Sequence, residues 1–322
     1  MEVNDWNGYW GPATSSIDWC EDNYVVSYYI AEFFNAFSSF AMIILGEAAC
    51  YSISRLQSTM ERRILQDKRI STPTASTTSA GSMSSSMSPP NLFRFKLAFR
   101  TITVVGIGSF LFHATLLHHM QMLDELPMLY SVLVLFFCLV ESRYGRQPIW
   151  FPRLLAGVGV VVTALVVLTE GNTQFYSFHL TFGPLEVATL FLVFRVYQAR
   201  KAQYPDVKRV FEAGIGLYAF AVAVWSVDLN FCERSLVSLV YSPPPHHHEQ
   251  GHGHGGSATS DPWIVKDLIL HAWWHIFVSM GLYLLSTVIM LDGLIVQGWN
   301  PKIEMKAGGW LPVVQIVSTK ED

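Results

Sequence analysis

Charged side chains are scarce in this sequence. Asp, Glu, Lys and Arg make up only 14% of the 322 residues, against roughly a quarter in an ordinary soluble domain. The chain also has neither a phosphate-binding glycine loop nor the basic footprint of a nucleic-acid-binding protein. These shortages exclude an ordinary soluble domain and leave no basis for a nucleic-acid partner.

The apolar residues, 51% of the chain, instead form long runs. Seven of these windows approach or exceed the ~18–20 residues that cross a bilayer. They cover about residues 25–50, 95–117, 123–141, 151–170, 175–197, 211–230 and 264–291. The runs lack the alternation of a β-barrel, and lipid leaves no backbone polar group unpaired, so they predict helices. The expected fold is an all-α membrane protein, a bundle of seven transmembrane helices.

The basic residues predict the orientation of this bundle. Residues 1–24 contain no lysine, no arginine and no apolar core of a signal peptide, so the first span is expected to be its own insertion signal. An odd number of helices puts the two termini on opposite sides of the membrane. With this topology, 19 of the 21 lysines and arginines lie on one side. The positive-inside rule then predicts a lumenal or extracellular N-terminus and a cytosolic C-terminus.

Three connecting segments have distinctive compositions. Residues 51–94 are expected to form a cytosolic loop, with a disordered serine-rich part at 71–90. Residues 243–260 are expected to be a flexible lumenal loop, whose histidines at 246–248, 252 and 254 are interpreted as solvated rather than as a metal-delivery site. Residues 292–322 are expected to be a cytosolic tail.

Histidines within the apolar windows are the main functional signal. His271 and His275 are four residues apart, so a helix presents both on one face, and His113 lies near the end of the second window. Intramembrane histidines are candidates for functional sites. Three neutral imidazoles leave a fourth position open on zinc, as in a hydrolase, so the sequence predicts a buried zinc site near the lumenal face. His179 and Glu186 are interpreted as interhelical hydrogen-bonding groups.

Two further polar residues are expected at the same depth. Asp124 could take a proton from zinc-bound water as general base and return it as general acid. Ser109, one turn before His113, could donate a hydrogen bond to the oxyanion. Plainer interpretations exist for both, since the small residues within Gly106–Ser109 allow close helix packing and Asp124 is favourable at the start of a helix.

The segment before the first span carries hard oxygen donors. Residues 18–23 read Asp-Trp-Cys-Glu-Asp-Asn, and Glu32 follows. Such donors suit calcium, but the spacing is not that of an EF-hand, and the positive-inside rule also predicts an acidic lumenal segment, so spacing alone leaves calcium open. Cys20 and Cys232 both fall on the oxidising side, where they either form a disulfide or remain two thiols.

Six segments, in the same order along the chain, closely resemble the alkaline ceramidases. They are DWCEDNY at 18–24, IAEFFN at 30–35, GSFLFHATL at 108–116, QMLDELPM at 121–128, NFCE at 230–233 and HAWWH at 271–275. The resemblance runs from the N-terminal segment to the seventh span. The serine-rich and histidine-rich segments depart from the family pattern without touching these motifs.

The resemblance implies hydrolysis of the ceramide amide bond to a sphingoid base and a fatty acid, in the membrane of the endoplasmic reticulum or Golgi. Insertions of the kind seen here are more usual in members that act on phytoceramide or dihydroceramide. The residues implied are His113, His271 and His275 for zinc; Ser109 and Asp124 for catalysis; Asp18, Trp19 (through its backbone carbonyl), Glu21, Asn23 and Glu32 for calcium; and Cys20 with Cys232 for a disulfide. Residues 1–24 would then be a calcium-binding segment and 25–291 the catalytic domain.

Two other functions fit part of the pattern. One is a seven-helix zinc-containing receptor of the adiponectin or progestin receptor type, and the other is a membrane hydrolase acting on a lipid ester. Adiponectin receptors place the N-terminus in the cytosol, which the distribution of basic residues argues against. The acidic segment at 18–23 argues against the ester hydrolase. The sequence predicts a membrane lipid as substrate and says nothing about protein partners.

Overall fold

Helices account for most of the described chain. The computed structural model describes residues 8–70, 92–231, 269–306 and 311–316, and for 67–70 and 231 the backbone only. In these ranges the helices are α1 Phe33–Ser38, α2 Phe40–Ile70, α3 Phe93–Thr115, α4 His118–Tyr144, α5 Trp150–Leu168, α6 Gly171–Arg200, α7 Pro205–Phe231 and α8 Leu270–Val296.

Seven helical stretches are long and apolar enough to cross a membrane. The first combines α1 with most of α2, from Phe33 to Gln66, and the others are α3 to α8. The prediction of seven transmembrane helices is therefore confirmed, and the chain is an integral membrane protein.

The first span lies further along the chain than hydropathy predicts. Residues 25–32 are not helical, and α2 continues through Ile70, into the segment expected to be a loop. The extension is helical because Ile53, Leu56 and Met60 recur at helical spacing and are buried against α3 in the main apolar core. The serine-rich residues 71–90 and the loop at 243–260 lie outside the described residues.

A tight connection makes α3 and α4 antiparallel neighbours. Leu116 adopts a left-handed conformation (φ 52°) and donates its N–H to the carbonyl of Phe112, which ends α3. The two helices are in very close contact at Gly108, where a Cβ atom would lie 1.9 Å from the carbonyl oxygen of Leu123. Close helix packing is therefore observed at Gly108, while the role of Ser109 stays a prediction.

Residues 8–32, the N-terminal segment, cover the end of the bundle where α3 ends and α8 begins. We call this the N-terminal end. The N–H groups of Ala31 and Glu32 donate to the carbonyls of Ala114 and His113, at 3.0 and 2.9 Å. These carbonyls belong to the last turn of α3, where no N–H group of the same helix is available to donate to them. The N-terminal segment therefore supplies hydrogen-bond donors that the end of α3 lacks.

The last helix, α8, is the central helix of the bundle. In its most apolar window 83% of the residues are buried, against 17% for α5, which lies at the periphery. Close contact with α7 is possible because a Cβ atom at Gly281 would lie 2.9 Å from the backbone nitrogen of Tyr218. Side chains at the start of α8 are consequently held by surrounding helices.

A β-hairpin follows α8, in the part of the chain expected to be a tail. Strands β1 Pro301–Lys306 and β2 Leu311–Ile316 pair antiparallel, with Ile303 opposite Val314. Both of these side chains are buried. Tyr283 of α8 donates to the Pro312 carbonyl at 2.9 Å, and Arg63 of α2 donates to that of Ile316 at 2.9 Å. The hairpin is thus packed against the bundle.

Candidate metal centre at the N-terminal end of the bundle

Three histidines meet where α3 ends and α8 begins. His113 lies in the last turn of α3, and His271 and His275 lie in the first two turns of α8. Their exposed fractions are 0%, 5% and 3%. One ligand atom from each lies within 4.8 Å of the others, and these three are the one such group among the described residues. The i, i+4 prediction for the histidine pair is confirmed, and the group could hold a metal ion.

The second ring nitrogens of two of these histidines already have partners. His113 Nδ1 lies 2.5 Å from Glu32 Oε2. His275 Nδ1 lies 2.8 Å from Ser38 Oγ and 3.1 Å from the Asn35 carbonyl. The opposite nitrogen of His113, Nε2, is buried and has no hydrogen-bond partner in the described part of the chain. This arrangement suits a metal site, because a ligating histidine commonly donates its other N–H to a carboxylate or carbonyl.

His271 is held differently. Trp19 stacks on its ring, with centroids 3.7 Å apart and 22° between the planes. Its Nδ1 faces the Asp228 carboxylate at 3.9 Å. Asp228 was not identified from the sequence, although an aspartate inside an apolar window is itself a functional signal.

The two predicted catalytic residues differ in how they relate to the histidines. Ser109 is fully buried, and its Oγ lies 3.3 Å from His275 Nε2 and accepts a hydrogen bond from Ser39 at 3.0 Å. Asp124 is partly exposed on α4, beside the close contact with Gly108. Its carboxylate does not belong to the three-residue ligand group. The structure thus brings Ser109 into contact with His275 and places Asp124 on the part of α4 that faces Gly108.

The predicted calcium ligands form hydrogen-bonded pairs within the N-terminal segment. Glu32 Oε1 accepts from the Trp19 amide at 3.0 Å. Asn23 donates to both oxygens of Asp18 at 3.1 and 3.2 Å, and Asn23 Oδ1 is buried with no partner among the described residues. An unpaired amide oxygen beside carboxylates is a donor set that suits calcium. In this conformation the carboxylates do not form a compact metal-binding group of the kind made by the described histidines.

Glu21 of the same segment caps α1. Its two oxygens accept from the amides of Phe34 and Asn35 at 2.7 and 2.8 Å. Burial raises the pKa of the Glu21 carboxyl to about 7, against the lowering effect of those two amides, and the nearby Glu32 carboxylate adds to the rise. Two buried carboxyls in proximity favour either a proton or a bound cation.

The predicted disulfide is only partly within the described chain. Cys20 is buried, and its Sγ lies 3.7 Å from the Asp228 carbonyl, near the end of α7. Cys232 lies just beyond the described residues, so the pairing stays a prediction. Cys50 and Cys138 are free.

A buried polar cluster beside the site was not found from the sequence. Gln121 donates to Ser16 and to Glu125, both at 2.7 Å, and Gln174 donates to the second oxygen of Glu125 at 2.5 Å. These hydrogen bonds join the N-terminal segment to α4 and α6. Gln121 and Glu125 belong to one motif, but Ser16 and Gln174 are distant in the sequence, so only the fold shows that the four residues meet.

The fold and the site define a class of protein: an integral membrane protein of seven spans that buries three histidines, able to hold a metal ion, at one end of its bundle. The ceramidase family model matches residues 11–254, so the chain belongs to the ceramidase family. The resemblance noted in the sequence motifs is therefore confirmed, and the chain is an enzyme.

Individual relatives match along most of their length. The chain is 28% identical to alkaline ceramidase 3 of Mus musculus over 96% of both chains. It is 25% identical to an alkaline ceramidase of Arabidopsis thaliana, over 98% of this chain and 97% of the relative. An alkaline ceramidase of Drosophila melanogaster is 26% identical, over 87% and 77% respectively. The similarity thus covers the whole bundle.

Proposed function

We propose that this chain hydrolyses the amide bond of ceramide, releasing a sphingoid base and a fatty acid. The observation that carries the proposal is the group of three buried histidines, each offering one nitrogen within 4.8 Å of the others. Family membership supports ceramide as the substrate. Phytoceramide and dihydroceramide are the first variants of that substrate to examine.

His113, His271 and His275 would hold zinc. Neutral imidazoles suit this ion, and three protein ligands are typical of catalytic zinc. When bound, zinc supplies a Lewis acid that polarises the amide carbonyl and makes water more acidic. Glu32 accepts from His113 Nδ1, so this ring is kept in the tautomer that leaves Nε2 for the metal.

Ser109 and Asp124 would perform the remaining chemistry. The Ser109 hydroxyl donates a hydrogen bond to the oxygen that becomes negative when the amide carbonyl is attacked. The Asp124 carboxylate takes the proton of the attacking water and passes it to the leaving amine. The position of Asp124 beside Gly108, the neighbour of Ser109 in the chain, supports this role because it places the two residues on facing helices.

Calcium would be held by the N-terminal segment, through Asp18, the Trp19 carbonyl, Glu21, Asn23 and Glu32. Glu32 contacts both this segment and His113. A cation there would neutralise carboxylates that are buried beside the histidines. Calcium is therefore expected to stabilise the segment that covers the zinc site.

The depth of the site suits a lipid amide. His275 lies five residues into α8, about 8 Å along the helix at 1.5 Å per residue. The ceramide amide lies near the headgroups, so the two chains can extend along the bundle. We further propose a lumenal N-terminus, a cytosolic C-terminus, residence in the endoplasmic reticulum or Golgi, and a Cys20–Cys232 disulfide.

Substitutions that separate zinc binding from proton transfer test this function. His275→Ala should abolish both bound zinc and release of sphingoid base from ceramide. His119→Gln is the matched control, because His119 is an exposed histidine outside the group, and it should change neither. An active His275→Ala enzyme without zinc would overturn the proposed site.

Asp124→Asn should keep zinc and lose activity, because a carboxamide cannot take the proton of water. Near-normal turnover in this variant would mean that another group is the base. Zinc binding by the unmodified protein without turnover of any ceramide, in the presence of calcium, would favour a receptor or an ester hydrolase.

A further inference from the structure

Asp228 is a fully buried carboxylate near the end of α7, flanked by Val227 and Leu229. The Cys20 backbone amide is directed towards this carboxylate, but neither oxygen has a donor within normal hydrogen-bond distance in the described part of the chain. A buried polar group without a partner is costly in free energy, and a buried charge more so. A partner is therefore expected close by.

A complementary group lies within reach. His271 Nδ1 is 3.9 Å from Asp228 Oδ2, and this nitrogen is also buried without a hydrogen bond among the described residues. A charge-assisted N–H···O bond is about 2.7–2.9 Å long, so a movement of about 1 Å joins the two groups. Trp19 stacks on the face of the same ring, which leaves its edge towards Asp228.

The other two histidines show the same relation. His113 Nδ1 faces the Glu32 carboxylate, and His275 Nδ1 faces the carbonyl of Asn35. In each case the acceptor favours a proton on Nδ1, which leaves Nε2 as the unprotonated nitrogen that can bind a metal; in His275 that nitrogen also lies 3.3 Å from Ser109 Oγ. Asp228 is the acceptor in the corresponding place for His271.

We propose that Asp228 is a positioning residue, which accepts a hydrogen bond from His271 Nδ1 and so presents Nε2 of that ring to zinc. The inference rests on the zinc site proposed above. Asp228 lies on α7, His271 lies on α8, and Cys20 of the N-terminal segment contacts the Asp228 carbonyl. The same residue therefore connects three parts of the chain around one ligand.

Zinc affinity of the full-length protein, measured by competition with a chelator, tests this inference without using activity. Asp228→Asn keeps the shape and removes the negative charge, and it should weaken zinc binding about 10- to 100-fold, the usual effect of losing such a partner. Cobalt substituted for zinc should give a changed visible absorption spectrum in the variant. Asp228→Glu, which restores a carboxylate, should recover part of the affinity.

Asp292→Asn is the matched control. Asp292 is also a buried carboxylate, but it pairs with Arg200 at the opposite end of α8. This control should leave zinc affinity and the cobalt spectrum unchanged. If both variants weaken zinc equally, the effect is general destabilisation and the inference is wrong.

Other outcomes also decide the question. Zinc affinity of Asp228→Asn within about twofold of the unmodified protein would overturn the positioning role while leaving the three-histidine site intact. Unchanged zinc affinity with loss of calcium-induced thermal stabilisation would assign Asp228 to the calcium segment instead. An unmodified protein that binds no zinc would overturn the inference together with the zinc site.

A structure of the unmodified protein with zinc bound gives a test that needs no variant to fold. The distance from His271 Nδ1 to Asp228 Oδ2 should shorten to about 2.7–2.9 Å. A distance that stays near the present 3.9 Å would contradict the proposal.

Discussion

Glu32 lies where the two proposed metal sites meet. One carboxylate oxygen accepts from the Trp19 amide, and the other contacts both His113 Nδ1 and the Asn35 side chain. Its exposed fraction is 0%, so none of these contacts can be replaced by bulk water. A single residue therefore links the N-terminal segment to a histidine that would bind zinc.

Replacing Glu32 should disturb both sites. Glu32→Ala is expected to lower zinc affinity about 10- to 100-fold and to abolish thermal stabilisation by calcium. Chelator competition and thermal unfolding with and without calcium measure these effects. Glu47→Gln, which removes a carboxylate paired with Arg100 at the other end of the bundle, is the control. Normal binding of both ions by Glu32→Ala would refute the link.

Ser109 should affect the chemical step alone. Ser109→Ala is expected to lower kcat about 10²- to 10³-fold, as for other lost oxyanion donors, with zinc content and KM nearly unchanged. Steady-state kinetics on a ceramide, with metal analysis, measures this. Ser279→Ala serves for comparison, since Ser279 is also buried but, within the described residues, donates to a backbone carbonyl of its own helix. If Ser109→Ala loses zinc, the hydroxyl supports His275 instead.

Prediction of single residues from the sequence succeeded where spacing carries information. The i, i+4 relation of His271 and His275, with His113 at a predicted helix end, was enough to find the histidine group. Asp228 was missed because it is a single aspartate in an apolar window, and Gln174 because it lies among polar residues just before the fifth window. Their partners come from distant parts of the chain, so only the packing of α7, α6 and the N-terminal segment identifies them.

At the scale of elements, the contact between α3 and α4 positions Ser109 and Asp124. Gly108→Ala should destabilise the protein by about 1–3 kcal/mol, a typical effect of overpacking, because the new Cβ would meet the Leu123 carbonyl oxygen at 1.9 Å. Thermal unfolding in detergent, with activity measured alongside, checks this.

The control for this substitution lies in the peripheral helix. Gly157→Ala on α5 meets no atom within 4 Å. It should leave stability unchanged or raise it by about 0.5–1 kcal/mol, because alanine is the better helix former. A Gly108→Ala protein as stable as the Gly157→Ala protein would show that the two helices are not in such close contact.

Elements were predictable to the extent that they cross the membrane. Hydropathy alone found all seven spans, because a long apolar helix has few alternatives in lipid. It placed the first span too early because residues 25–32 are apolar but are used to cover the end of α3. The paired strands at 301–306 and 311–316 were missed, since two six-residue strands have little signal beside a transmembrane helix.

At the scale of the whole molecule, the ion pairs show at which end of the bundle basic side chains lie. Arg94 of α3 pairs with Glu141 of α4, and Arg200 of α6 pairs with Asp292 of α8, so the basic ends of α3 and α6 lie at the end of the bundle opposite the histidines. Under the positive-inside rule, this distribution supports the proposed orientation, with that end in the cytosol.

Labelling of single cysteines should confirm this orientation. In a background lacking the native cysteines, Tyr9→Cys should react with a membrane-impermeant reagent only from the lumenal side. Gln147→Cys, between α4 and α5, should react only from the cytosolic side. Both positions are accessible, Tyr9 being 57% exposed and Gln147 lying in a connection. The reverse pattern would contradict the proposed topology.

The central claim is that the buried histidines hold zinc for the hydrolysis of ceramide. The most direct measurement is release of sphingoid base from a panel of ceramides by purified protein, with metal content determined on the same sample. Turnover accompanied by about one zinc per chain, the stoichiometry of a single three-histidine site, is the result expected. Turnover by a preparation that contains no zinc would contradict the claim.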